Sequence, residues 1–339
     1  RLWVHIADVS YYVRPGTALD QEAYRRGTSV YVTDRVVPML PQVLSNGICS
    51  LNPHEDRFTI TAQMDVGMDG AVRSAQIYPA IIRSDERMTY GNVNRIIAKD
   101  EQLVRRYAHL LLMIDNMMGC SALIRKRRHA LGAVNFETRE SKVIVDEQGV
   151  PQDIVLRERG ESERIIEDFM IAANECVAAY LKWMDLPAMY RVHEQPEPKK
   201  VRAFAKVAKT LGYSFIVNVS HVYPGQFQQL LEEAQGADNF DVLSAYMLRS
   251  MQKARYDVQC LGHFGLGLKE YLHFTSPIRR YPDLVVHRML RKYVFAHDQD
   301  ASAMKRDSEW IAQAAEHASV RERCAQEAER DVDDMKKAQ

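Results

Sequence analysis

In the stretch HFTSPIRRYPDLVVHR, residues 273–288, two arginines follow a Thr-Ser-Pro turn and precede Asp283, His287 and Arg288. A planar guanidinium donates in pairs to phosphate or carboxylate oxygens, so Arg279 and Arg280 near a helix N-terminus have the chemistry of an anion clamp. Ser276 is placed to cap a helical turn that has Pro277 at its first position. Pro282 then breaks or kinks the turn, and a new helix sets Asp283 and His287 one turn apart. The competing reading is an Arg279–Asp283 helix pair with Arg280 in solvent. Spacing alone leaves the two open.

Other residues have chemistry of their own. Arg288, Arg291 and Lys292 extend the first cluster, while Arg125–Arg128 and the set Lys199, Lys200, Arg202, Lys206 and Lys209 form two more. For these last two, a helix-end or solvated face is the expected role. HFGLGLKEY, residues 263–271, has glycines that permit close backbone approach, but lacks the preceding strand of a phosphate loop and is expected to serve packing. Tyr31, on a strand with Val30 and Val32 facing the other way, is either a base-stacking aromatic or a buried tyrosine. Asp8 ends the strand HIAD and is expected to cap the next turn. Glu167 and Asn174 lie two turns apart on one helix. AERDVDD, residues 328–334, resembles an acidic metal site, yet Glu329 and Asp333 on a charged helix more often face solvent or pair with Arg330 or Lys337.

These residues need elements to hold them. The first 80 or so residues are strand-rich, with LWVHIADV, SVYVTDRVVPML, RFTITAQMDV and AVRSAQIYPAII between turn residues and an Asp-Gly hairpin at GMDGAV. Residues 101–130 change to helical spacing, strands return in AVNFETRESKVIVDEQGVPQDIVL around a Glu147-Gln148-Gly149 turn, and IIEDFMIAANECVAAYLKWM resumes a helix. Further helices are expected at 197–211, 225–236, 239–256, 283–296 and 302 to about 335. Strands first and helices later, with no repeat and no regular βαβ alternation, predict an α+β domain on an antiparallel or mixed sheet.

Composition narrows the partners. The 339 residues carry 45 Lys+Arg and 45 Asp+Glu, so affinity for a polyanion must come from local clustering. The five cysteines are odd in number and contain no C-x-x-C pair, which argues against a disulfide framework or a zinc site and for a reducing cytoplasm. No apolar run is long enough to span a bilayer. The strand-rich part has no D-x-D or D-D cluster of the kind that holds two cations about 4 Å apart for phosphodiester cleavage. G-x-S-x-G, P-loop and H-E-x-x-H motifs are also missing.

Taken in order, RLWVHIADVSYYVRPGTALDQEAYRRGTSVY, VVPMLPQVLSNGICSLNPHEDR, IEDFMIAANECVA, LRSMQKARYD, HFGLGLKEYLHFTSPIRRYPDLVVHR and AERDVDD resemble the catalytic (RNB) domain of the ribonuclease II/ribonuclease R family. Their wording is closer to the bacterial ribonuclease R branch. The resemblance implies a 3′→5′ exoribonuclease that threads single-stranded RNA into a channel and releases nucleoside 5′-monophosphates with Mg²⁺. It makes Arg279 the catalytic arginine beside the scissile phosphate and Tyr31 the aromatic against the 3′-terminal nucleotide. Glu329 becomes an RNA contact, and Arg280 a further one. A monomer in the cytoplasm is expected.

Two departures limit the match. The family's D-x-x-D-x-D-D cluster lies upstream of the strand that here begins RLWVHIADVS, so no metal ligand is expected within this segment, and Asp8 is at best a support for that site. Pro196 stands where ribonuclease II has a base-clamping phenylalanine, leaving His193 as a weak substitute. No cold-shock or S1-like β-barrel is visible at either end. The segment 1–339 is therefore expected to be a partial catalytic domain, truncated on its N-terminal side and inactive alone. A non-catalytic RNA-binding relative and an enzyme acting on a small phosphorylated metabolite are the alternatives.

Overall fold

The computed structural model describes residues 1–134, 141–146, 148–156 and 159–338. Strand β1 (Leu2–Ala7) runs into a single helical turn, α1 (Val9–Tyr12), and then α2 (Ala18–Arg26). A short hairpin, β2 (Val30–Val32) and β3 (Arg35–Val37), precedes the long hairpin β4 (Asp56–Val66) and β5 (Val72–Arg83). Its turn closes where Gly67 N donates to Ala71 O at 2.9 Å, in the predicted Asp-Gly segment. The strands order as β1-β4-β5, and all pairings among the named strands are antiparallel.

Helices α3 (Tyr90–Ile97), α4 (Glu101–Arg106) and α5 (Leu111–Ala130) lead to a second hairpin, β6 (Ser141–Val145) and β7 (Pro151–Leu156). Glu147, in the predicted turn of that hairpin, lies outside the described residues. Helix α6 (Glu161–Trp183) is followed by β8 (Tyr190–Val192), α7 (Pro198–Thr210), α8 (Pro224–Ala234) and α9 (Phe240–Ser250). The helix expected over 239–256 stops at Ser250, because 255–257 form β9 (Arg255–Asp257) beside β8. Last come α10 (Tyr281–Met289), a wider π-helical turn over Leu290–Phe295, and the long α11 (Ala301–Ala338).

Three apolar cores hold these layers. The inner face of the sheet, with Val4, Ile6, Ile60 and Met64, packs on Phe169, Ala173 and Val177 of α6. A second core joins α10 to α11 through Leu284, Val285, Ile311 and Ala315. A third is shared by α7, α8 and α9 around Phe204, Phe227, Leu243 and Met247. Burial at this scale supplies the main driving force, roughly 25 cal/mol per Å² of apolar surface. All five cysteines are free thiols. Among the described residues, no helix is long and apolar enough to cross a membrane.

Helix α10 departs most from its sequence pattern. Every residue from Tyr281 to Met289 is buried, including Asp283, His287 and Arg288, so this helix runs through the middle of the fold. Pro282 restarts the helix as expected: the Ser276 turn ends at the extended Arg280, and Pro282 occupies the first turn of α10, where its missing N–H has no intrahelical partner to lose.

Candidate RNA-binding and phosphate site

Residues 276–280 form a tight turn in which Arg279 N and Arg280 N both donate to Ser276 O, at 3.1 and 3.0 Å. Asp283 secures the turn from α10. Its carboxylate accepts from Ser276 N at 2.7 Å and from Arg280 Nε and Nη2, both at 2.8 Å. The competing reading of an Arg279–Asp283 pair with Arg280 in solvent is therefore reversed: Arg280 makes the pair, and Arg279 is the exposed guanidinium. The reason is geometric. An extended Arg280 at the helix N-cap points its side chain back over the first turn, while the preceding residue points away.

The rest of the basic cluster is also paired. Arg288 is bound to Asp20 at 2.8 Å, Arg291 to Asp8, and Lys292 to Asp307 at 2.8 Å. Burial works against the charge on Arg280, but Asp283 outweighs it and raises the pKa of that guanidinium. Of the five cluster residues, Arg279 alone has no carboxylate partner among the described residues. The other two clusters divide. Arg125, Arg127 and Arg128 are tied to Asp168, Glu161 and Glu175 of α6, whereas Lys199, Arg202, Lys206 and Lys209 line an exposed face of α7.

Backbone pairing brings Arg279 to Tyr31 across 247 intervening positions. Ser29 N and Thr28 Oγ1 donate to Arg279 O at 2.9 and 3.1 Å, and Tyr281 N donates to Gly27 O at 2.9 Å. The strand that leaves this seam is β2. Tyr31 projects from it with 47% of its surface exposed, which corrects the buried reading, and the Arg279 guanidinium carbon lies 5.9 Å from its ring centroid. Glu329 of α11 completes the group, its Oε1 accepting from Tyr31 N at 2.7 Å. Thr33 Oγ1 donates to Asp333 one helical turn further on, at 3.2 Å. A cleft of about 690 Å³ opens here, lined by Tyr31, Thr33, Val143, Glu329, Arg330 and Asp333 among others.

The remaining candidates stand apart from this group. Asp8 is buried and caps α1, accepting from Ser10 Oγ at 2.5 Å and Tyr11 N at 3.2 Å while holding Arg291. His193 sits at the end of β8, where its Nδ1 accepts from Gly265 N at 3.0 Å and its ring meets His263 edge-on at 5.1 Å. Burial lowers its pKa, and its Nε2 has no partner. The HFGLG glycines serve packing, as predicted: Gly267, at φ 64°, would place a Cβ 2.8 Å from Leu131 O. Glu167 lies near Arg159, but Asn174 is buried, with Oδ1 accepting from Phe274 N at 2.9 Å and Nδ2 donating to Tyr271 Oη at 3.1 Å. It thus anchors the extended segment leading into the Ser276 turn. Thr33 went unrecognised, and the distant partners of Asn174 and Asp333 were not foreseen, because hydrogen bonds between distant segments leave little trace in spacing.

The donor set does not fit a divalent cation. Among the described residues, no three carboxylate, histidine or cysteine side chains converge on a metal-sized site. Asp8, Asp20, Asp283 and Glu329 are each engaged by arginine or by a backbone N–H.

Comparison with known proteins places this geometry. The RNB domain model matches residues 1–296. Ribonuclease R 1 of Lactococcus lactis is 46% identical over 338 residues, which cover all of this chain and 41% of that protein. A solved structure of Mycoplasma genitalium RNase R, in complex with ribose-methylated single-stranded RNA, superposes with a TM-score of 0.92 at 31% identity, over 99% of this chain and 52% of that one. Yeast Ssd1, described as a pseudonuclease, shares the fold at a TM-score of 0.78 and 20% identity, over 97% of this chain and 40% of that one. The chain thus spans about half the length of the proteins it matches, and by its motifs, its fold and the extent of these matches it belongs to the RNB-domain family.

Proposed function

We propose that the full-length protein carrying this chain is a 3′→5′ exoribonuclease that hydrolyses single-stranded RNA to nucleoside 5′-monophosphates. The observation that supports this is the grouping of an exposed Arg279, with no carboxylate partner among the described residues, beside an exposed Tyr31 that lines one cleft together with Glu329. The RNA strand bound to the M. genitalium relative supports the same choice of ligand.

Each side chain has a physical task in this reading. Tyr31 offers a π-face to the 3′-terminal base, a contact worth about 1–3 kcal/mol per base and tolerant of sequence. Arg279 donates to the non-bridging oxygens of the adjacent phosphate, with a planar fork that gains strength as charge develops there. Glu329 has one oxygen on Tyr31 N; the other faces ribose hydroxyls, which distinguish RNA from DNA. Arg280, paired with Asp283, braces the turn that presents Arg279 and is a further RNA contact; Asp8, buried apart from this group, is at most a support for the metal site, and His193 is a more distant contact. Mg²⁺ belongs in this scheme to carboxylates outside the described residues. A monomer in a reducing cytoplasm completes the reading, and the five free thiols fit that compartment.

The test is shortening of 5′-labelled single-stranded RNA by the full-length protein. Arg279→Lys should lower kcat by about 100-fold while leaving RNA affinity within about threefold, since its donors act on charge that develops in the transition state. Equal losses in both would reduce Arg279 to docking. The second reading, an RNA-binding relative without cleavage, is favoured by the fold shared with a pseudonuclease. It predicts salt-sensitive binding and an RNA that keeps its length with any metal added.

A further inference from the structure

Helix α11 meets the Tyr31 region along one ridge with four-residue spacing. His317 stacks on Tyr24 at 4.3 Å and its Nε2 lies 2.8 Å from Tyr24 O. Arg321 packs on Gly27, where an added Cβ would lie 2.6 Å from Arg321 Cβ. Ala325 is buried on the same ridge, Glu329 takes the Tyr31 N–H, and Asp333 takes the Thr33 hydroxyl. Four helical residues advance about 6.0 Å and two strand residues about 6.8 Å, so carboxylates at i and i+4 on a helix match alternate residues of a strand lying along it.

The hairpin needs such a partner. β2 and β3 have three residues each, and a two-stranded ribbon of this size is marginal in water. Val36 and Val37 of β3 are exposed, so little apolar burial holds the hairpin from its other side. Its position is set by the Arg279 seam at residues 27–29 and by the two carboxylates of α11.

We infer that Asp333, acting through Thr33, is a positioning residue that works with Glu329 to fix the hairpin carrying Tyr31, and so sets how the protein handles the RNA 3′ end. The inference rests on the proposed RNA reading for its consequence, but its mechanical half can be measured without cleavage. Asp333 also pairs with Lys337 at 3.1 Å, so Thr33→Val isolates the bond to the hairpin, and Thr33→Ser restores it.

The experiment uses the full-length protein and the variants Thr33→Val, Thr33→Ser, Asp333→Ala and the Thr33→Val/Asp333→Ala double. Amide hydrogen exchange is followed over residues 29–37, together with shortening of 5′-labelled single-stranded RNA. A hydrogen bond to a carboxylate corresponds to roughly tenfold in an equilibrium. Exchange should therefore rise about tenfold in Thr33→Val and in Asp333→Ala, rise no further in the double variant, and return to the wild-type rate in Thr33→Ser. KM should rise several-fold with kcat nearly unchanged, and the final product should change length. Unchanged exchange in both single variants, or effects that add in the double, would overturn the inference. Faster exchange with unchanged KM and product length would overturn the positioning role. If exchange responds as expected but the wild-type protein leaves RNA intact, the hairpin device stands and the nuclease reading fails.

Discussion

Asp283→Asn is the most informative single substitution. The Asp283 carboxylate is fully buried and accepts three hydrogen bonds, two from Arg280 and one from Ser276 N. Asparagine keeps the shape and one acceptor oxygen but removes the charge that balances a guanidinium only 18% exposed. Removing one partner of a buried ion pair costs about 3–5 kcal/mol, and the surviving acceptor places this case near 3 kcal/mol. For a protein of this size that corresponds to a fall of roughly 4 °C in Tm. Urea and thermal unfolding read the loss directly. Because the Ser276 turn presents Arg279, RNA shortening measured well below the new Tm should fall as well. Replacing both partners, Arg280→Met with Asp283→Leu, should recover most of the stability, since it leaves no uncompensated charge. The reasoning fails if Asp283→Asn stays within about 0.5 kcal/mol of wild type, or if the double variant is less stable than either single one.

Three further outcomes are expected. His193, His263, His273 and His287 are held neutral by burial, with His263 lowered to about 3, so between the unfolded histidine pKa near 6.5 and those depressed values the unfolded chain binds more protons. Stability is therefore fully present above about pH 6.5 and falls on acidification, with His263 alone contributing a loss of about 2 kcal/mol at pH 5; His263→Gln should flatten that slope in urea titrations. Gly27→Ala combines φ 72° with a Cβ 2.6 Å from Arg321 Cβ, so it should cost about 2 kcal/mol and disturb α11 against the hairpin, visible as faster exchange over residues 29–37. Asn174→Leu should cost about 2 kcal/mol by leaving the buried Phe274 N–H unpaired, while Asn174→Asp, which keeps the acceptor, should cost less in the same unfolding assay.

Much of the architecture was legible along the chain. Periodicity located α6, α7, α8 and α11, alternation located β1, β4 and β5, and the Asp-Gly pair located their hairpin turn, because these patterns depend on neighbours within a few residues. The end of α9 was not legible, since β9 exists by pairing with β8 some 65 residues earlier. The electrostatics were less legible still. Five basic residues spaced over 279–292 read as one electropositive cluster, but burial of α10 requires that charges inside be paired, and Asp283, Asp20, Asp8 and Asp307 neutralise four of them.

The sequence by itself determined the family, the α+β class and the identity of Arg279, Tyr31 and Glu329 as candidates, because side-chain chemistry and motif order are properties of the chain. Tertiary structure alone decided which of two adjacent arginines stays free, that Tyr31 faces outward, and that Glu329 and Asp333 hold a hairpin 300 residues away. Those outcomes depend on the competition between desolvation and pairing among segments that meet only on folding, and local spacing contains no measure of it.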